Sequence, residues 1–252
     1  VDKFDQHRSF LKSNFAEFKK ITTDAKKGLP QPVKVKPYEL QAELIDLPAV
    51  SESTLTSKNI FTCIKERRST RLYGDCPLSL DELSYLLWAT QGITGTNKAG
   101  LTLRTVPCSG ATHSFESYLL IRNVANIQKG VYRYLPIEHK LLFMFELDKL
   151  ENKIDEITLD QPFVPNFANK AAVLFLWSTT PYRSEWKYDI TAHKKILIDI
   201  GHVCQNLYLA SESIAAGTCA IGIYDQALVD RLLGLDGNDE FVIYLAAVGK
   251  KP

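Results

Sequence analysis

The chain has 252 residues, with 30 Lys and Arg against 29 Asp and Glu for a net charge of +1, which excludes the broad positive field of a general nucleic-acid binder. An apolar content of 45%, a charged content of 23%, and 12 Phe and 11 Tyr residues exclude intrinsic disorder and match an ordinary globular protein. The longest apolar stretches, 171–177 and 242–248, fall far short of the ~20 residues a spanning helix needs, so no membrane partner is expected.

In chain order, an amphipathic helix is predicted over 8–20, followed by an extended segment in which Pro30, Pro32 and Pro37 forbid regular helix. Residues 1–57 thus form an arm suited to lying over another surface, and residues 58–252 form the folded domain. A helix is expected over 58–67. A better-marked one follows Ser79, where Ser79-Leu80-Asp81-Glu82 is a capping box and Leu83, Leu86, Leu87 and Thr90 recur at helical spacing. A Gly-rich loop is expected over 92–100. Strands are predicted at 117–121, 131–135 and 140–145, with turns marked by Asn123, Asn126, Gly130 and Pro136.

The continuous apolar run 171–178 reads as a buried strand, and 193–216 as a long helix with Ile196, Ile200, Val203, Leu207 and Ala210 on one face. An extended segment over 217–223, a helix over 226–233 ended by Gly234 and a last strand over 240–248 complete the chain. Runs of strands followed by helices predict an α+β fold. Five cysteines, odd in number and with no C-x-x-C pair, point to reduced thiols and away from a disulfide framework or a zinc site. Together with an N-terminus that has no apolar h-region, they make the cytoplasm the expected compartment.

Three loops carry chemistry. Arg67-Arg68-Ser69-Thr70-Arg71 follows a helix, and its guanidiniums and hydroxyl suit a phosphate monoester; the same arginines would also complement a helix C-terminus. Arg104-Thr105-Val106-Pro107-Cys108-Ser109-Gly110-Ala111 is a loop of small residues that lets backbone approach a flat ligand. Gly217 through Asp225 places two glycines around a strand end, leaving N–H groups available. No G-x-G-x-x-G or G-K-[ST] occurs, so neither a Rossmann nor a Walker phosphate site is supported. His113 and His202 have no second ligand at metal spacing and read as structural.

Taken in order, ERRSTRLYGDCPLSLDELSYLLWATQGITG, RTVPCSGATHSFESYLLI, GVYRY, WKY, GHVCQNLYLA, AGTCAIGIYDQ and YLAAVGK resemble the nitroreductase-like flavoproteins, most closely the SagB-type dehydrogenase branch, over roughly residues 58–250. The resemblance implies an α+β homodimer with a mainly antiparallel central sheet, flanking helices and FMN at the subunit interface. It implies that Arg67, Arg68 and Ser69 grip the FMN phosphate and ribityl chain and that Arg71 reaches the pyrimidine edge. Pro107, Cys108, Ser109 and Gly110 would approach the flavin from the partner subunit. Ile221, Gly222 and Ile223 would offer backbone near N5 and O4, and Lys250 would return to the phosphate.

Lys187-Tyr188 matches the Lys-Tyr pair of azoline-oxidising members, where a base removes a C–H proton as hydride leaves. Two positions depart from the family pattern: Cys108 stands where Ser is usual, and Asp189-Ile190-Thr191 stands where G-x-R commonly follows. The implied function is an FMN-dependent oxidoreductase acting through flavin N5, with NAD(P)H as a candidate donor and a nitro or quinone compound as acceptor. Its rivals are an azoline dehydrogenase acting on a modified peptide and a flavin-binding partner subunit without turnover.

Overall fold

The computed structural model describes every residue except 1, 2, 14, 58, 99, 162 and 163. Two short helices, α1 (Asp5–Leu11) and α2 (Phe15–Phe18), replace the single helix expected over 8–20. Lys12 ends the first by turning extended, at φ −77° and ψ 160°. The proline-rich segment that follows has no regular structure, and a short strand, β1 (Leu44–Asp46), comes after it. The helix expected from Lys58 is α3 (Ile60–Glu66), capped by the Asn59 side chain on the N–H groups of Phe61 and Thr62; Lys58 lies outside the described residues. The capping box forms as expected. Ser79 Oγ accepts from the Glu82 N–H at 3.1 Å, the Glu82 carboxylate accepts from the Ser79 N–H at 2.9 Å, and α4 (Leu80–Gln91) follows.

Where a Gly-rich loop was expected, β2 (Ile93–Thr96) pairs antiparallel with β3 (Thr102–Arg104). The remaining elements are β4 (Phe115–Ile121), β5 (Gly130–Leu135), β6 (Lys140–Phe145), α5 (Leu150–Thr158), β7 (Val173–Thr179), α6 (Tyr182–Tyr188), α7 (Ala192–Ser213), β8 (Ala216–Ile221), α8 (Gln226–Leu232) and β9 (Phe241–Lys250). Of these, α5 and α6 were not anticipated, nor was β1.

The main sheet runs β1-β6-β5-β4-β7-β9-β8, and every ladder in it is antiparallel. All seven residues of β4 and all seven of β7 are buried, because helices cover both faces of the sheet. Alternate residues project to opposite faces. Leu119, Phe175 and Trp177 share one core with Leu83, Leu86 and Leu87 of α4 and with Ile196, Ile200 and Leu207 of α7. Leu120, Leu174 and Leu176 share the other with Ile154 and Ile157 of α5 and Val229 of α8. Truncating a fully buried residue such as Leu87 to Ala would cost about 2–5 kcal/mol.

The arm lies on the chain's own domain. Lys36 Nζ donates to Glu240 at 2.6 Å and to the Tyr118 hydroxyl at 3.0 Å, its N–H donates to Glu116 at 2.9 Å, and Arg133 donates to the carbonyls of Lys36 and Pro37. At the opposite edge of the sheet, Ser69 bridges Thr218 in parallel and the Thr70 N–H donates to the Thr218 carbonyl at 2.9 Å. That approach needs Gly217, since a Cβ there would lie 2.5 Å from the Thr70 side chain.

Candidate functional site

The segment laid along β8 builds the first half of the site. Arg67 terminates α3 and places its guanidinium 5.3 Å from the centroid of Tyr208 on α7. Ser69 Oγ lies 3.1 Å from the Tyr208 hydroxyl, which also accepts from the Ala220 N–H at 2.9 Å. Tyr208 therefore ties the arginine segment to the end of β8. Arg68 donates to the carbonyls of Lys65 and Arg67 at 2.9 and 2.8 Å, so at this residue the complement to a helix C-terminus is realised. The Arg71 guanidinium lies 5.8 Å from the Phe167 ring. Among the described residues none of the three arginines has a carboxylate within 4.0 Å.

Beyond β8 the Ile221 side chain is buried, while Gly222 and Ile223 are exposed and a Cβ on Gly222 would meet open space. Among the described residues the N–H groups of Gly222 and Ile223 donate to no protein acceptor. The Lys250 ammonium donates to Glu82 at 2.5 Å and to the Ile214 carbonyl at 2.9 Å. A phosphate reaching it would compete with the Glu82 carboxylate at the start of α4.

The second half gathers the other predicted residues. The buried Asp199 of α7 accepts from the Ser109 N–H at 2.8 Å and from the Ser109 hydroxyl at 3.0 Å. Pro107 and Gly110 are exposed, and Cys108 is half-buried with its thiol pKa pushed up by burial. Gly110 adopts φ +62°, a left-handed conformation suited to glycine. Its carbonyl accepts from Lys187 Nζ at 3.0 Å, and a Cβ there would stand 2.2 Å from the Tyr188 hydroxyl. The loop and the Lys187-Tyr188 pair are thus one assembly. Burial also raises the Tyr188 pKa, which keeps that hydroxyl protonated at neutral pH. Lys195 Nζ sits 4.6 Å over the Tyr188 ring.

Asp199 and Tyr208 are nine residues apart on one helix, so they stand about 13 Å apart along it and on opposite sides. The cationic half and the Lys-Tyr half are therefore set on different flanks of α7. Neither Asp199 nor Tyr208 was singled out from the sequence. The legible signal was an acid beside an apolar stripe, since Asp199 adjoins Ile196, Ile200 and Val203. His113 is buried and bonded through Nε2 to the Thr102 carbonyl at 3.1 Å, whereas His202 is exposed on α7. Among the described residues no group of His, Cys, Asp and Glu could hold a metal ion, and the five cysteines are free thiols. No described helix is long and apolar enough to cross a membrane.

The sequence profile of the Nitroreductase family matches residues 64–250. The chain belongs to the nitroreductase family. A candidate nitroreductase of Methanocaldococcus jannaschii is 30% identical over 207 residues, covering 82% of this chain and 96% of that relative. Among solved structures, a candidate nitroreductase from Anabaena variabilis superposes with a TM-score of 0.68 at 22% identity, over 84% of this chain and 42% of its own longer chain. A candidate nitroreductase from Exiguobacterium sibiricum, solved in complex with FMN, gives 0.54 at 13% identity, over 77% of this chain and 89% of that one. The E. coli microcin synthetase McbBCD complex, solved with a truncated pro-MccB17 bound, gives 0.58 at 18% identity, over 86% of this chain and 79% of that chain. These structural likenesses establish an α+β nitroreductase fold. Membership of the nitroreductase family makes redox chemistry the frame for the site.

Proposed function

We propose that this nitroreductase-family chain is an FMN-dependent oxidoreductase that works as a homodimer, each FMN held between the arginine edge of one subunit and the 107–110 loop of the other. The observation that carries the reading is the placement of the two half-sites on opposite flanks of α7. Each half is chemically complete for its own part of a flavin nucleotide, and a second copy supplies the missing wall.

The residues fit the cofactor. Arg67, Arg68 and Arg71 form an exposed to half-exposed cationic edge in which, among the described residues, no guanidinium has a carboxylate within 4.0 Å, and the Ser69 hydroxyl lies among them, which suits a phosphate dianion. Among the described residues the N–H groups of Gly222 and Ile223 have no acceptor, and Gly222 borders open space, as a ring edge bearing carbonyl and nitrogen acceptors requires. The subunit contact has support as well. Ile60, Phe61 and Ile64 on α3 are 60–70% exposed, and Leu197 and Ile198 on α7 are about half exposed, exposed apolar groups of the kind found at interfaces.

Bound FMN would supply two-electron transfer through N5. The chain's own residues do the rest. Arg67, Arg68 and Ser69 hold the phosphate end and Arg71 places positive charge at the pyrimidine end, while Asp199 fixes the 107–110 loop through Ser109. Lys187, held on the Gly110 carbonyl, is the group positioned to take or deliver a proton at the substrate, and Tyr188 beside it orients by hydrogen bonding. Lys250 steadies α4 through Glu82.

The donor is read as NAD(P)H and the acceptor as a nitro or quinone compound. Anaerobic addition of NADH or NADPH should bleach the bound flavin, and a nitroarene should restore its colour. If neither nucleotide bleaches it, the donor assignment fails. The Lys187-Tyr188 geometry then favours the second reading, a SagB-type dehydrogenase that oxidises azolines in a modified peptide, which that peptide would reveal by bleaching the flavin directly.

A further inference from the structure

The arm and the β2–β3 hairpin border an open cleft of about 450 Å³, lined among others by Pro32, Val33, Lys34, Val35, Arg104 and Ile137. Among the described residues two cations line it and no carboxylate does. Among the described residues neither Lys34 nor Arg104 has a carboxylate within 4.0 Å. Among the described residues the guanidinium of Arg104 makes one hydrogen bond, to the Gln91 side-chain carbonyl, and its buried Nε meets no acceptor. Gln91 Nε2, also buried, is a second donor with no acceptor. The acid with the strongest hold on Arg104 is Glu116, and it is already engaged by Arg183 at 2.6 Å and by the Lys36 N–H at 2.9 Å.

A buried cation without a counter-charge is costly, and donors left unpaired add to that cost. Burial holds the pKa of both Lys34 and Arg104 below its usual value, with Lys187 adding to the effect at Lys34. Arg104 stands three residues before Pro107 in the chain, which sets the cleft beside the 107–110 loop. Its volume is within the range of small-molecule sites, and its walls combine apolar side chains with few polar groups, as such sites do.

We infer that this cleft binds a small organic carboxylate, its anionic group between Lys34 and Arg104 and its apolar body against Val33, Val35 and Ile137. The planar fork of Arg104 favours a carboxylate, which it can engage through paired N–H donors. The inference is independent of the flavin assignment, because its test reads heat of binding and not turnover.

The test is isothermal titration of the purified full chain with hexanoate, using neutral hexanamide as the matched control. Hexanoate should bind saturably with millimolar or tighter affinity, and hexanamide should not. Lys34→Met, a change on the arm surface that leaves the core untouched, should weaken hexanoate binding about tenfold. Arg104→Gln should do the same or more, with folding verified by circular dichroism. Lys129→Met, which removes an exposed cation paired with Glu151, should leave it unchanged. Absence of saturable hexanoate binding, equal binding of hexanamide, or indifference to Lys34→Met would overturn the inference.

Discussion

Asp199 holds Ser109 at two points, the N–H at 2.8 Å and the hydroxyl at 3.0 Å. One buried carboxylate on α7 thereby fixes the loop that carries Pro107, Cys108 and Gly110. Asp199→Ala would leave both donors without their charged acceptor and should cost about 2–3 kcal/mol of stability, read from urea denaturation. Asp199→Asn keeps an acceptor in place and should lose clearly less. Equal losses in the two variants would show that packing, and not the paired hydrogen bonds, holds the loop.

The arginine edge should discriminate the phosphate. Arg67→Ala is expected to weaken FMN binding about tenfold or more while changing riboflavin binding little, as measured by flavin fluorescence quenching. A parallel loss for both ligands would assign Arg67 to packing against Tyr208.

Lys187→Ala should leave FMN bound and slow anaerobic flavin reduction or substrate turnover by roughly 10²–10⁴-fold, the usual worth of a positioned acid or base. Stopped-flow reduction rates unchanged from the parent would remove Lys187 from the chemistry. Gly110→Ala tests the same assembly from the other side. It forces a side chain onto a left-handed backbone and into the Tyr188 hydroxyl, so it should lower both stability and rate.

His113 gives the fold an acid sensitivity. Burial, aided by Arg104, lowers its pKa from 6.5 to about 4. The unfolded chain therefore takes up the proton first as pH falls, and His113 withdraws stability between about pH 6.5 and 4. The loss should reach on the order of 3 kcal/mol below that window. His113→Gln should flatten this part of the stability–pH curve, and an unchanged slope would place the acid sensitivity elsewhere.

Much of this was legible in the chain because the signals were local. Ser79 and Glu82 announce the start of α4, and the apolar runs around Phe175 and Leu245 announce strands buried on both faces. What was missed depends on distant partners. The sequence YRSEWKY of α6 has no apolar stripe, and the helix is positioned by Arg183 reaching Glu116 and the His113 carbonyl. The β2–β3 hairpin hides behind glycines, since Gly95 sits at an irregularity in the pairing. In the site, the residue types around Arg67 and Pro107 could be read directly. The roles of Asp199 and Tyr208 could not, because each becomes visible only when α7 packs against a loop far away in sequence. The engagement of Lys250 by Glu82 likewise joins residues 168 positions apart.

The proposed flavin site is completed by two copies of the chain. It is tested most directly by native mass spectrometry of the purified protein reconstituted with FMN, followed by identification of the flavin released on denaturation. The account predicts a dimer carrying two FMN molecules, yellow in solution and releasing FMN and not FAD. A monomer that binds FMN tightly, or a protein that stays colourless after reconstitution, would contradict it.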